Sequence, residues 1–373
     1  MLPKKIFISA IETSGDLHAA QLVRALKKQN KNLIFYGIGS EALKAEGAEI
    51  FLDLTHRSTV GIIEPLRHLG AYLRALRRVK KILRREKFAL FLCVDGQGFH
   101  LPVAAYAKKQ GIPVAYYISP QEWLWGTASG GRKVAWICDL IISIFPEEKA
   151  FYQKLGTHAV YNGHPLSEIV KTNVSPRVFR QKHKLAADKP LVAFFPGSRR
   201  QELDNLLPVF AKMVKLSGGR EQFVTVAASE YCYRRLLREI KNVPVLYKEN
   251  YAAIAAADIV VSSTGTITLE AALLGTPIIA VYKFPPLSYW LVSKLLGHKI
   301  PKYKALPNML AGREIMPERI QDFTAESLYA LLTKTLSDQK KLRQIKQDFR
   351  KLKTKLTAKD VLAKNAREVL KLL

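Results

Sequence analysis

Apolar runs with no polar alternation, each followed by a helical stretch, recur along the chain, and that pattern restricts the fold more than any other feature. In the N-terminal half, KIFISAI (5–11), NLIFYGIG (32–39), FALFLCVD (88–95), IPVAYYIS (112–119) and LIISIF (140–145) have the length and composition of strands. Between them, 17–29 forms an amphipathic pattern with Leu17, Ala20, Leu22 and Leu26 turned inward, and a further helix falls around 101–110. A strand that is apolar on both faces needs cover on both, which predicts parallel sheets flanked by helices. The alternation restarts at PLVAFFPGS (190–198) and runs on through QFVTVAA, VPVLYK, IVVSS and PIIAVYK. The predicted fold class is α/β, with two doubly wound parallel-sheet domains over 1–165 and 166–340, a polar linker around 165–189, and a helical segment at 341–373.

A chain of 373 residues suits two domains of ordinary size. No window reaches the ~18 consecutive apolar residues of a spanning helix. The opening MLPKKIFISA lacks a signal-peptide layout, so folding in the cytoplasm is expected. Cys93, Cys138 and Cys232 have neither CxxC nor framework spacing and are expected to be small buried hydrophobes, with no metal site. The charge is less ordinary: 59 Lys and Arg stand against 31 acids, a net +28. Residues 1–165 hold 23 basic and 13 acidic residues, and 166–373 hold 36 and 18, so both halves are basic throughout. Such a balance implies anionic surroundings, and its even spread argues against a disordered nucleic-acid arm.

In doubly wound sheets, ligands sit beyond the carboxyl ends of the strands, so the strand-to-helix loops are where chemistry is expected. Glu12-Thr13-Ser14-Gly15-Asp16 follows the first strand; Ser14 or Asp16 is suited to cap the next helix and Gly15 permits a tight backbone. There is no G-x-G-x-x-G after it, which removes the dinucleotide fingerprint. Asp95, in VDGQGF, ends another strand and is placed either to accept a proton from a hydroxyl or to cap a helix. Trp123 and Trp125, in SPQEWLW, suit a core or a sugar or acyl site. Phe195-Pro196-Gly197-Ser198-Arg199-Arg200 offers a small turn with Ser198 and Arg199 at a helix start, a pattern suited to phosphate. In Ser262-Ser263-Thr264-Gly265-Thr266-Ile267-Thr268-Leu269-Glu270, the amides near Gly265 and Thr266 can hold a diphosphate, and Glu270 can accept two ribose hydroxyls. Asn308, Arg313 and Glu314, in LPNMLAGRE, belong to a loop able to close over a nucleotide.

Taken together and in order, ETSGDLH, VD-x-x-x-F, YYISPQEWLW, IFPEEKAFY, NGHPL, FFPGSR, SSTGTITLEAALLGTPIIAVYK and LPNMLAGREIMPE resemble the lipid-A-disaccharide synthases, over roughly residues 5–320. The resemblance implies a GT-B-like glycosyltransferase of two Rossmann-like domains, the second holding the nucleotide, with 341–373 crossing back to the first. It implies coupling of UDP-2,3-diacylglucosamine to 2,3-diacylglucosamine 1-phosphate (lipid X), giving the β-1,6-linked disaccharide 1-phosphate and UDP in lipid A biosynthesis. Because an α-linked donor gives a β-linkage, one in-line displacement and one base suffice; Asp95 is the expected base, Glu12 and His18 its rivals, and Arg199 the partner of the departing diphosphate. Ser14, Gly15 and Ser198 join the substrate-binding set, and no cofactor or metal is implied. The chain departs from the family pattern at Ile11, where Gly is usual before ETSGD, and in DGQGF, where DAPDF is usual and Gly98 replaces a second acid.

Acylated, phosphorylated substrates imply an enzyme bound peripherally to the anionic cytoplasmic face of the inner membrane, with homo-oligomerisation left open. Residues 66–87 carry nine Lys/Arg and one acid, with Leu66, Leu69, Leu73, Leu76, Val79 and Leu83 at helical spacing. That pattern fits an interfacial helix, or a domain helix whose apolar stripe packs on the sheet. The segment 284–304, mixing aromatics, aliphatics and lysines, is a second lipid-contact candidate. Two rival readings are another UDP-sugar enzyme of the same fold, such as an N-acetylglucosaminyltransferase or epimerase, and a nucleic-acid binder, which would need a zinc module or one concentrated basic stripe.

Overall fold

A computed structural model describes residues 3–55, 69–124, 126–284 and 302–373. Within them, 3–168 and 357–373 make one compact unit, and 169–284 with 302–356 make a second. In the first, the order is β1 (Lys4–Ala10), α1 (Thr13–Gln29), β2 (Leu33–Ile38), α2 (Glu41–Ala45), β3 (Glu49–Leu52), α3 (Leu69–Arg85), β4 (Leu90–Val94), α4 (Gln97–Lys109), β5 (Val114–Tyr117), α5 (Ala128–Ile137), β6 (Leu140–Ile142), α6 (Pro146–Lys154) and β7 (Ala159–Val160). After α7 (Leu166–Ile169) and α8 (Pro176–Lys182) comes the second sheet: β8 (Leu191–Phe195), α9 (Arg200–Ser217), β9 (Gln222–Ala227), α10 (Glu230–Glu239), β10 (Val245–Tyr247), α11 (Asn250–Ala256), β11 (Ile259–Ser263), α12 (Thr266–Leu274), β12 (Ile278–Tyr282), α13 (Leu306–Ala311) and β13 (Glu318–Ile320). The chain closes with α14 (Ala325–Ser337), α15 (Gln339–Leu356) and α16 (Val361–Leu370).

Both sheets are parallel throughout, ordered β3-β2-β1-β4-β5-β6-β7 and β10-β9-β8-β11-β12-β13. The central strands β4, β8, β11 and β12 are buried at every position, as their unbroken apolar runs require. Each unit has its own core. In the first, Phe7 meets Phe88 and Phe91 with ring centroids 5.3 Å away in both pairs. In the second, Phe194 of β8 stacks on Phe210 of α9 at 4.2 Å. Strand order reverses between β1 and β4 in one sheet and between β8 and β11 in the other. At such a point the two neighbouring loops part, leaving a crevice beyond the strand ends.

Helix α3 resolves the two readings of 66–87 as far as it is described. Val79, Leu83 and Ala75 are buried in the first unit's core, with Leu76 and Ile82 partly buried against it. Over the described residues the apolar stripe is thus spent on protein packing, which favours the domain-helix reading, with Leu73 exposed. Arg74, Arg77, Arg78, Lys81, Arg84 and Arg85 face solvent. Leu66, Trp125 and residues 285–301 of the second lipid-contact candidate lie outside the described residues. Among the described residues, no helix is long and apolar enough to cross a membrane.

The segment 341–373 divides at Thr357: α15 belongs to the second unit and α16 to the first. Helix α16 packs along α1. Its N-terminal amides, Val361 N and Leu362 N, donate to the two carboxylate oxygens of Glu168 at 2.8 and 3.0 Å. That carboxylate satisfies donors a helix start leaves orphaned.

Candidate active site

Four of the strand-end motifs picked from the sequence flank the two reversal points, two in each unit. In the first unit, Glu12 occupies the N-cap of α1, half-buried at the end of β1, with Ser14 beside it. Gly15 lies where α1 passes the end of β4: a Cβ there would come within 3.3 Å of Val94 O and 3.4 Å of Asp95 Cβ. Neither Ser14 nor Asp16 caps α1. Asp16 instead reaches forward, accepting from Ser40 N at 2.7 Å and Ala42 N at 3.0 Å, and so ties α1 to the start of α2. Its burial raises its carboxyl above the usual range, against the backbone donors that lower it.

Asp95 is half-buried and stands in the left-handed region at φ 56°, followed by Gly96 at φ 61°. Its Oδ1 accepts from Gly96 N at 2.8 Å, a contact with the next residue rather than a cap on the second or third helical amide. The neighbouring strand end repeats the device: Ile118, after β5, stands at φ 57°, a conformation costly for a β-branched residue. Beside it Ser119 Oγ donates to the fully buried Glu148, whose other oxygen accepts from Ile144 N at 2.9 Å. Burial pushes the Glu148 carboxyl up to about 7. His18 is buried, edge-on to Tyr117 at 6.4 Å, and desolvation lowers it to about 4, so it is neutral at neutral pH. Trp123 packs against Phe145 at 6.0 Å, which favours its core reading.

In the second unit, Gly197 turns at φ 108° and Ser198 and Arg199 enter α9. Their amides are already engaged: Glu202, 4% exposed, accepts from Ser198 N at 2.8 Å, Arg199 N at 3.2 Å and Arg199 Nη1 at 3.0 Å. A Cβ on Gly197 would fall 2.0 Å from Glu202 Oε2, so glycine is required there. An internal carboxylate therefore occupies the helix start that the sequence offers to phosphate. At the end of β11, Gly265 is exposed at φ 152°, and Thr266 opens α12. Thr268 Oγ1 donates to Gly265 O at 2.8 Å. Glu270, one turn on, is half-buried, and desolvation raises its carboxyl to about 7.

The lipid-A-disaccharide synthetase family model matches residues 6–371. The chain belongs to that family. It is 34% identical to the lipid-A-disaccharide synthase of Solibacter usitatus over 361 residues, covering 95% of this chain and 93% of the relative. It is 35% identical to that of Neisseria meningitidis serogroup B over 376 residues, covering 98% and 97%. As a lipid-A-disaccharide synthase family member it is a glycosyltransferase acting in lipid A disaccharide synthesis. The fold is also that of more distant solved proteins. Anabaena Alr3699/HepE in complex with UDP-glucose aligns at TM-score 0.56 and 16% identity, over 99% of this chain and 100% of that one. The S. aureus MnaA–UDP structure aligns at 0.62 and 12%, over 100% and 98%.

Not every residue that the family resemblance nominates is available to a ligand. Asn308 is 0% exposed; its Nδ2 donates to Met316 O and Glu318 Oε2, both at 3.0 Å, and its Oδ1 accepts from Ile315 N and Met316 N. Its amide is consumed in shaping the LPNMLAGRE loop. Arg313 is exposed and pairs with Asp348 of α15 at 2.7 Å, and Glu314 is exposed beside it. Sequence reading passed over Glu202, Glu318, Glu148 and His100. Glu202 had a signal, an acid three residues after a helix N-cap. Glu148 had the same signal after the N-cap Phe145, whereas Glu318 bonds to Asn308 and His100 to Ser9, pairings that spacing does not reveal.

Proposed function

We propose that the chain transfers a 2,3-diacylglucosaminyl group from its UDP-linked donor to the 6-hydroxyl of 2,3-diacylglucosamine 1-phosphate. The products are the β-1,6-linked disaccharide 1-phosphate and UDP. The observation that carries this reading is the match to one family from residue 6 to residue 371. The fold alone leaves the reaction open, since UDP-GlcNAc 2-epimerases such as that of Neisseria meningitidis share it at TM-score 0.61.

The donor is α-linked and the product β-linked, so the acceptor oxygen attacks opposite the departing diphosphate in one step. The hydroxyl proton must leave as the bond forms. Asp95, a half-buried carboxylate at the reversal point of the first sheet, takes that proton, with Glu12 as the alternative. The nucleotide belongs to the second unit. Its diphosphate lies against the start of α12 at Gly265 and Thr266, and its ribose hydroxyls donate to Glu270. UDP in the solved relatives supports a UDP group in this fold. Arg199, held by Glu202, contributes positive charge where UDP departs, and Ser198 lines the same loop. Ser14 and Gly15, at the start of α1 next to Asp95, join the substrate-binding set. Asn308 keeps the α13 loop in shape, leaving Arg313 and Glu314 as its surface groups. Acyl chains bring both substrates to an anionic inner-membrane surface, to which the chain's +28 charge attracts it.

Turnover measured as UDP release, with the disaccharide identified by mass spectrometry, tests the reading. Asp95→Asn keeps the shape of the side chain and should lower turnover by roughly 10²–10⁴-fold at unchanged UDP affinity. A rate within about threefold of the unsubstituted chain would leave Asp95 as structure and shift the base to Glu12.

A further inference from the structure

The turn that presents Asp95 is held from three sides, and the groups that hold it act on the main chain. Two consecutive left-handed residues, at φ 56° and 61°, form a conformation that an aspartate keeps only where its surroundings over-determine it. The first restraint comes from β5: Tyr116 Oη donates to Asp95 O at 2.9 Å. The second comes from α4, where His100 Nδ1 contacts the same carbonyl. A carbonyl oxygen only accepts, so Nδ1 carries the ring proton. Nε2 of the neutral ring then accepts from Ser9 Oγ, on β1, at 2.8 Å. Ser9, His100 and Tyr116 are all 0% exposed. Burial lowers His100 to about 4, against the backbone bond that raises it, so the ring stays neutral at neutral pH. The third restraint is Ile11, buried above the turn. A Cβ on Gly96 would lie 2.5 Å from Ile11 Cγ1, 2.9 Å from its Cδ1 and 3.2 Å from His100 Cε1. Ile11 thus demands glycine at 96.

We propose that His100 and Tyr116 are positioning residues for Asp95: together they pin its peptide in the left-handed turn that aims the carboxylate, and Ile11 over Gly96 closes the turn. The inference rests on Asp95 being the base. Neither ring touches a reacting atom; both act through one backbone carbonyl. A histidine on α4 and a tyrosine on β5 meet at that carbonyl and a serine on β1 holds the histidine, so three elements fix the carboxylate's origin, where a misplacement of ~1 Å costs about 10²-fold in rate.

Kinetics with thermal unfolding as the folding control test the proposal. His100→Ala should lower kcat roughly ten- to a hundredfold with donor KM unchanged. His100→Asn, whose side-chain amide reaches the place of Nδ1, should recover most of that loss. Tyr116→Phe removes one hydroxyl and should cost about three- to tenfold in kcat. In an Asp95→Asn background, His100→Ala should lower kcat no further, because the aim of an absent base is irrelevant. Should His100→Ala fail to fold, Tyr116→Phe carries the same comparison against Asp95→Asn. Full kcat in Tyr116→Phe and His100→Ala, or losses that multiply with Asp95→Asn, would overturn the positioning role while leaving the base in place. An Asp95→Asn chain with normal turnover would instead remove the base assignment, and the inference with it.

Discussion

Glu270 shows at the scale of one residue how burial and ligand chemistry pull in opposite directions. Desolvation holds its carboxyl at about 7 instead of the ordinary 4.5, so between those values the folded chain binds a proton the unfolded chain has lost. Its contribution to stability therefore falls as pH rises from about 4.5 to 7. Glu148, also raised to about 7 by burial, adds in the same direction. In the proposed nucleotide site the ribose hydroxyls donate to the ionised form, so UDP binding would expel the proton. UDP affinity by calorimetry should then rise as pH passes upward through about 7, and Glu270→Gln should bind more weakly and without that component. UDP's own ionisation is common to both chains and cancels. Identical pH profiles for the two chains would remove Glu270 from the ribose. The placement of Asp95, Glu12 and Glu270 just beyond strand ends was legible from sequence because strand ends announce themselves through apolar runs. The engagement of Asn308, Ser198 and Arg199 was not. An amide or guanidinium that looks available in sequence is spent on Glu318 or Glu202 only once the chain has folded.

Among elements, legibility followed burial. The long central strands were read from their uniform apolar runs, whereas β3, β7 and β13 were missed. These three, together with β10, are the sheet edges. An edge strand is short and half-covered, and EIFL, AV and ERI carry too few apolar residues to stand out. The start of α1 was placed late because Ser14 and Gly15 look like a loop, although Thr13–Gln29 is continuous helix. Helix α3 shows the limit of periodicity: an apolar stripe under a basic face has the same spacing on a membrane as on a sheet. Its burial decides, and it separates two measurements. Leu83→Ala, at 3% exposure, should cost about 2–5 kcal/mol of stability by denaturant unfolding. Replacing the solvent-facing Arg74, Arg77, Arg78 and Lys81 with Gln should leave stability nearly unchanged and weaken flotation with anionic vesicles by ~1 kcal/mol per charge. Flotation lost through Leu83→Ala at full stability would return the stripe to the membrane.

At the scale of the molecule, two parallel sheets with separate cores were readable from the chain's alternation, and the family from motifs kept in order along it. The fate of the C-terminus was readable only in outline. Helix α15 is highly charged and amphipathic, α16 less so, and the division at Thr357 depends on which surface each covers: α15 packs against α12, and α16 lies on α1. The central claim is a single-step transfer with inversion, and the product's stereochemistry tests it most directly. The chain should be incubated with α-linked UDP-2,3-diacylglucosamine and 2,3-diacylglucosamine 1-phosphate, and the new anomeric centre read by its proton coupling in NMR. The account predicts a β-1,6-linked disaccharide 1-phosphate with one UDP released per bond formed. An α-linked product, or a donor epimerised at C2 with no disaccharide, would contradict it.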